Sequence, residues 1–146
     1  MTAIALPMLL QAQIPSTEVV EVNDLFQGAV IVKEDLKGRF VFDIYENGKR
    51  TRQDLVNMEF LDEGNIHFSV EENEVVLSCK SEHPQCFQKE IFKLSMKRLS
   101  SRSNLACPPN DIEGARSIEA LRNMIRSARS RLAEAHETRA ADERRK

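Results

Sequence analysis

Cys79-x3-His83-x2-Cys86, followed by Cys107, is the stretch of this sequence whose residue types and spacing could do chemistry. Three thiolates and one imidazole make up the donor set of a tetrahedral structural zinc site, so Cys79, His83, Cys86 and Cys107 form one candidate metal set. Two cysteines on neighbouring strands also suit a disulfide, which needs α-carbons about 4.4–6.8 Å apart. Three cysteines allow three single pairings, and Cys79–Cys86 is the nearest in sequence. An exported chain would favour the disulfide and a cytosolic one the metal. A Cys–His nucleophile pair fits less well: both partners sit in one loop, and no third group is placed to orient the base.

A second set of residues is basic. Lys93, Lys97, Arg98 and Arg102 flank a late strand, and Arg122, Arg126 and Arg129 form an i, i+4, i+7 row on a helix. Together they could meet an anionic partner, although such rows are most often solvated faces. No Gly-rich phosphate loop, G-x-S-x-G, H-E-x-x-H or EF-hand loop occurs, so no cofactor is expected. No set of acid, base and nucleophile can be assembled, and the reading is of a non-enzymatic protein. The net charge of −2 is too small for a nucleic-acid binder, and aromatic residues do not interleave with the basic ones. Nucleic acid is therefore not expected as a partner, and another protein or a surface is.

The chain has 146 residues, 41% hydrophobic and 30% charged, which suits one domain with its own core. No apolar run is long enough to span a membrane. Ala3 to Leu10 is apolar and is followed by Gln11-Ala12, which fits a cleaved export signal over residues 1–13, but the usual basic start is missing. Secretion or a periplasmic location is the expectation, with a cytoplasmic chain as the alternative.

These groups must be positioned by short strands. Glu18 to Val22 has strand composition, and Ala29 to Val32 and Phe40 to Tyr45 follow, the latter with Phe40, Phe42 and Ile44 on one face. Asn47-Gly48 is a strong hairpin signal, because both residues tolerate positive φ. The six polar residues after it predict a longer loop or a bulge before a strand over Leu55 to Leu61. Ile66, Phe68 and Val70 share a face with Val75, Leu77 and Cys79 across a turn at Glu71-Glu72-Asn73, and His67 points to the polar side. One further strand is expected over Phe87 to Met96, and a short last one over Asn104 to Cys107. Pro108-Pro109 stops the strands, Asn110 can cap a helix, and Glu113 completes a capping box. Ile118, Leu121, Ile125, Ala128, Leu132 and Ala135 make one apolar stripe. Beyond it, residues 137–146 read as a charged flexible tail, and residues 14–136 as the domain.

Val75-Val76-Leu77-Ser78-Cys79-Lys80, then Cys86, then Leu105-Ala106-Cys107, then Glu119-Ala120-Leu121-x-x-x-Ile125 resembles a kind of small exported protein of Bacteroidetes-type bacteria. The order of strands before one helix is also similar to the pleckstrin-homology-like (PH-like) fold. The resemblance implies an α+β chain: a strongly bent antiparallel sheet or open barrel of about seven strands, closed by one C-terminal helix. It also implies a binding or scaffolding role, while transferring no ligand. The alternative function is a zinc-stabilised cytosolic module that meets an anionic partner through the helix arginines.

Overall fold

The structure, a computed structural model, describes residues 15–145. The apolar run Ala3 to Leu10, read as an export signal, lies outside the described residues. The chain begins with a helix where a strand was expected: α1 spans Thr17–Phe26. Val19, Val22 and Phe26 recur at helical spacing and are buried, while Val20 is exposed. Ser16 caps the helix, its Oγ accepting from the Val19 amide at 3.2 Å. A short β-branched run misleads about local structure when its partner, here Phe26, lies a turn further on.

Eight strands follow: β1 Val30–Glu34, β2 Arg39–Glu46, β3 Lys49–Asn57, β4 His67–Ser69, β5 Glu74–Ser78, β6 Phe87–Ile91, β7 Met96–Ser100 and β8 Arg102–Ala106. They form two antiparallel sheets, five strands in the order β1-β2-β3-β6-β7 and three in the order β4-β5-β8. Only an isolated bridge, Leu61 to Cys79, ties the turns after β3 to the end of β5, and neither sheet closes on itself. The α+β class with antiparallel sheets and a C-terminal helix stands; one bent sheet or barrel is replaced by two sheets.

Asn47 and Gly48 have φ of 53° and 76° and join Glu46 to Lys49, so the hairpin forms at the expected turn. The polar residues after it are not a loop but a strand with a bulge, the other expectation: Tyr45 pairs with Arg50 and Ile44 with Arg52, which leaves Thr51 over. They pair with β2 from Lys49 onward, and the strand ends at Asn57, where Met58–Phe60 turns as a 3-10 helix. Similarly, Phe87 to Met96 is a hairpin: Phe92–Leu94 forms a 3-10 turn, Ser95 takes φ 49°, and β7 runs back along β6. Val70 is exposed, because the chain leaves β4 at Ser69 before the expected face continues.

The last helix, α2, runs Ala115–Arg145. Its N-terminus is capped by Asp111 rather than the expected Asn110–Glu113 box. The Asp111 carboxylate accepts from the amides of Arg116 and Ser117 at 3.0 and 2.8 Å and from the Ser117 hydroxyl at 2.6 Å. Glu113 has φ 53° and cannot reach back in the required way. Leu121, Ile125 and Ala128 of the stripe are buried, Ile118 and Leu132 are half-buried, and Ala135 is exposed. The helix continues through 136–145, where fraying was expected. Phe40, Phe42, Phe87, Leu77, Leu105, Leu121 and Ile125 are fully buried in one apolar core with α1. α1 packs on both α2 and β1. Its Asn23 amide bonds the free edge of β1, accepting from the Val32 amide at 2.7 Å and donating to the Val32 carbonyl at 3.1 Å.

Candidate functional site

The cysteine loop is a staple. Cys79 and Cys86 form a disulfide, with α-carbons 5.7 Å apart. Neither sulfur is then a thiolate, so the zinc set loses two of its four ligands. His83 stacks on Phe60 with ring centroids 3.8 Å apart. Cys107 lies away from the loop as a buried free thiol, its S–H donating to the Asp111 carbonyl at 3.3 Å. Burial, together with the Asp111 charge, pushes that thiol above the usual cysteine range, which keeps it protonated. Among the described residues, no three His, Cys, Asp or Glu side chains are grouped to hold a metal ion.

The helix arginines act as ties, Arg122 and Arg129 half-buried and Arg126 exposed. Arg122 donates to the Glu63 and Ile66 carbonyls at 3.0 and 3.4 Å, and Arg126 reaches the Glu63 carboxylate at 3.0 Å. Arg129 donates to the Met58 and Leu61 carbonyls. The three tie α2 to the two 3-10 turns, Met58–Phe60 and Glu63–Asn65, and to the residues that follow them, Leu61 and Ile66. The expected anionic-partner face on α2 is therefore largely committed within the fold. Lys93 sits exposed in the β6–β7 turn, apart from the rest.

Of the remaining three, Arg98 and Arg102 mark a site that the sequence did not assemble, and Lys97, paired with Glu90, belongs to the other face of the sheet. A cavity of about 560 Å³ opens where the edge of the larger sheet meets the smaller one, lined among others by Arg52, Lys89, Arg98, Arg102, Glu74 and Asn104. A second, of about 430 Å³, is lined mainly by Gln53, Leu55, Gln88, Glu90, Lys97 and Leu99, which alternate with Asp54, Lys89 and Arg98 and so belong to the other face of β3, β6 and β7. Strand register builds the first. Asp54 on β3 faces Lys89 on β6, which faces Arg98 on β7. Lys89 is in phase with Phe87, and Asp54 with Val56, so the alternation that buries the apolar residues carries the charges in with them.

Asp54 is fully buried and fully occupied. Arg52 Nε donates to its two oxygens at 3.1 and 3.2 Å, and the Ser103 hydroxyl donates at 2.5 Å. Arg52 also donates to the Asn104 carbonyl at 2.6 Å, tying β3 to β8 across the gap between sheets. Lys89 is left over. It is 7% exposed, and its Nζ has no hydrogen-bond or ion-pair partner among the described residues. It is not sealed either: the one fully buried side-chain nitrogen or oxygen there without a partner is Arg129 Nε, so the Lys89 amine opens into the cavity it lines. Burial pulls its pKa below the usual lysine range. Asp54 opposes that shift, and Arg52, Arg98 and Arg102 reinforce it. At the rim, burial and the neighbouring Glu72 push the Glu74 carboxyl up, and Asn104 partly offsets them by donating to Glu74 at 3.2 Å.

Chemically, the cleft is a converging set of cations with one buried amine that has nothing to bind. The signal for it was present in the sequence as charges in phase with apolar neighbours, Lys89 between Phe87 and Ile91 and Asp54 before Val56. A scan against protein-family models, a search of curated proteins and a search of solved structures each found no match to the chain.

Proposed function

We propose that this chain is a non-enzymatic binding module, exported and of PH-like descent, whose ligand presents an anionic group to the cleft between β6–β7 and β8. The observation that carries the reading is Lys89, a nearly buried cationic side chain without a partner, with Arg98 and Arg102 beside it on the same cavity. Buried charges in proteins are normally paired, and a site that leaves one unpaired is completed by a ligand of opposite sign. Arginine forks suit carboxylate and phosphate, which two or more donors can grip at once. The antiparallel strands that run into the C-terminal helix α2 are what supports the PH-like reading, although α1 precedes them and they form two sheets, and the Cys79–Cys86 disulfide supports export. The ligand is defined by its anionic group, whether that group is carried by a small molecule or displayed on a partner protein.

Calorimetric titration of the full chain with inorganic phosphate and with sulfate tests this. Saturable binding is expected, weakened at least about tenfold in Arg98→Ala/Arg102→Ala and unchanged in Lys93→Ala, which lies off the cleft. Binding that survives loss of both arginines, or no binding of either anion, overturns the reading.

A further inference from the structure

Resting on the anion-binding reading of the cleft, we infer that its ligand carries a carbonyl carbon beside the anionic group, as a 2-oxo acid does, and that Lys89 holds this carbon covalently as an imine. The placement is the first reason. Lys89 is the buried lysine of the described chain, lines a cavity large enough for a small organic acid, and is not engaged by any acceptor. Asp54 lies opposite it on the neighbouring strand and would be its natural counter-ion. That carboxylate is instead held by Arg52 and Ser103. The second reason is chemical. Burial, and after it three neighbouring guanidinium groups, make this amine give up its proton more readily than an exposed lysine does, while the carboxylates nearby, Asp54 and Glu74, are engaged by Arg52, Ser103 and Asn104. The charged form adds to the anion site, and the deprotonated form in equilibrium with it offers a lone pair. Arg98 and Arg102 then have the separate task of gripping the carboxylate, which sets the carbonyl next to the nitrogen.

The step balances without any oxidant or reductant. The Nζ lone pair forms a bond to the carbonyl carbon as the carbonyl π pair moves to oxygen. That oxygen takes up a proton as the nitrogen gives one up, and the carbinolamine forms. The carbon–oxygen bond then breaks, hydroxide leaves with a proton as water, and the nitrogen lone pair closes the C=N bond. Amine and carbonyl become imine and water, and hydrolysis returns both, so the ligand is captured reversibly without being consumed.

The test is reductive trapping on the full chain. Protein is incubated with pyruvate and cyanoborohydride, with acetone as a neutral carbonyl of similar size, and adducts are located by peptide mass mapping. The chain has eight lysines. Labelling concentrated at Lys89, at least about tenfold over exposed Lys93 and Lys97, slowed by added phosphate and lost in Lys89→Met, supports the inference. Labelling spread over the exposed lysines, or acetone labelling Lys89 as readily as pyruvate, overturns it. Phosphate titration of the same preparation separates the two levels. Phosphate binding without trapping at Lys89 removes the imine and leaves the anion site. Absence of both removes both. Circular dichroism of Lys89→Met confirms that lost labelling is not lost folding, and Lys89→Arg, which keeps the charge without a nucleophilic amine, is expected to bind phosphate and resist trapping.

Discussion

Replacing Lys89 with methionine should make the protein more stable and its cleft weaker for anions, two effects of opposite sign from one change. Lys89 is 7% exposed and has no acceptor among the described residues, whereas its amine is hydrated in the unfolded chain. Leaving a sealed polar group unsatisfied costs about 1–3 kcal/mol, and the Lys89 amine, which opens into the cavity, falls at the low end of that range. Methionine has a similar reach and adapts to irregular space without that penalty. Against this gain stands the lost attraction between Lys89 and Asp54, which is small because Arg52 and Ser103 already neutralise that carboxylate. The same change also removes repulsion from Arg52, Arg98 and Arg102. The net expectation is a gain of about 1 kcal/mol at pH 7, or roughly 2–4 °C in Tm for a chain of this size. The pH dependence has a definite sign. A lysine whose folded pKa lies below its unfolded value carries its full penalty at low pH, and the penalty lifts as pH rises through the folded value toward about 10.4. The advantage of Lys89→Met should therefore shrink between pH 7 and pH 10. Urea unfolding of both proteins across that range measures it. A variant that is less stable than wild type at pH 7 with an unchanged m-value, or an advantage that does not vary with pH, would refute the claim that Lys89 is an uncompensated buried amine.

Three further outcomes are expected. Cys79→Ser/Cys86→Ser should lose about 2 kcal/mol in urea unfolding, the chain-entropy value for closing so short a loop, and a loss below about 0.5 kcal/mol would show that the loop is held by Phe60–His83 stacking and its backbone bonds instead. Gly114→Ala should cost about 1–3 kcal/mol, since φ is +66° and a β-carbon would stand 2.7 Å from Val75 Cγ2; wild-type Tm in this variant would contradict the geometry. Burial raises the Asp111 carboxyl, but the Ser117 hydroxyl and the amides of Arg116 and Ser117 outweigh it and hold the group below its usual range. Its stabilisation is thus fully present above about pH 4 and lost as pH falls through the folded value. Asp111→Ala should remove about 1–2 kcal/mol at pH 7 and flatten the acid limb of the stability profile, and an unchanged acid limb would rule the cap out as its source.

What the sequence disclosed and what it hid divide along a physical line. Asn47-Gly48 was legible because its signal is local: two residues that accept positive φ, set between strands. The α2 stripe was legible because Leu121, Ile125 and Ala128 repeat with the helix on one buried face. The Cys79–Cys86 pairing was legible from proximity, although the sequence alone left zinc open. α1 was missed because three valines in four positions mimic a strand, and only Phe26, a turn later, restores the helical period. The start of β3 was missed because Lys49 to Asp54 is uniformly polar, and its strand state comes from β2 and β6 on either side. The basic cleft was missed for the same reason. Arg52, Lys89, Arg98 and Arg102 come from four strands, and only their register brings them together. The arginines of α2 were over-read in turn: their spacing is that of a surface row, but the carbonyls they bind belong to turns some 60 residues away in sequence.

The division into two sheets also explains why a polar cluster lies inside this fold at all. Where β3, β6 and β7 meet β5 and β8, no strand pairing joins the sheets, and the backbone leaves polar groups there to be matched by side chains. Arg52 spans the gap, binding Asp54 on its own strand and the Asn104 carbonyl on β8, while Ser103 completes Asp54 from the far side. This network is satisfied without Lys89. A lysine in phase with Phe87 could be replaced there by leucine or methionine at no loss to packing, and such apolar replacements for buried charge commonly stabilise. The amine is thus an addition that the fold does not need, placed where the two sheets leave room for a ligand, and that surplus is the strongest physical reason to place function at the cleft and not at the disulfide.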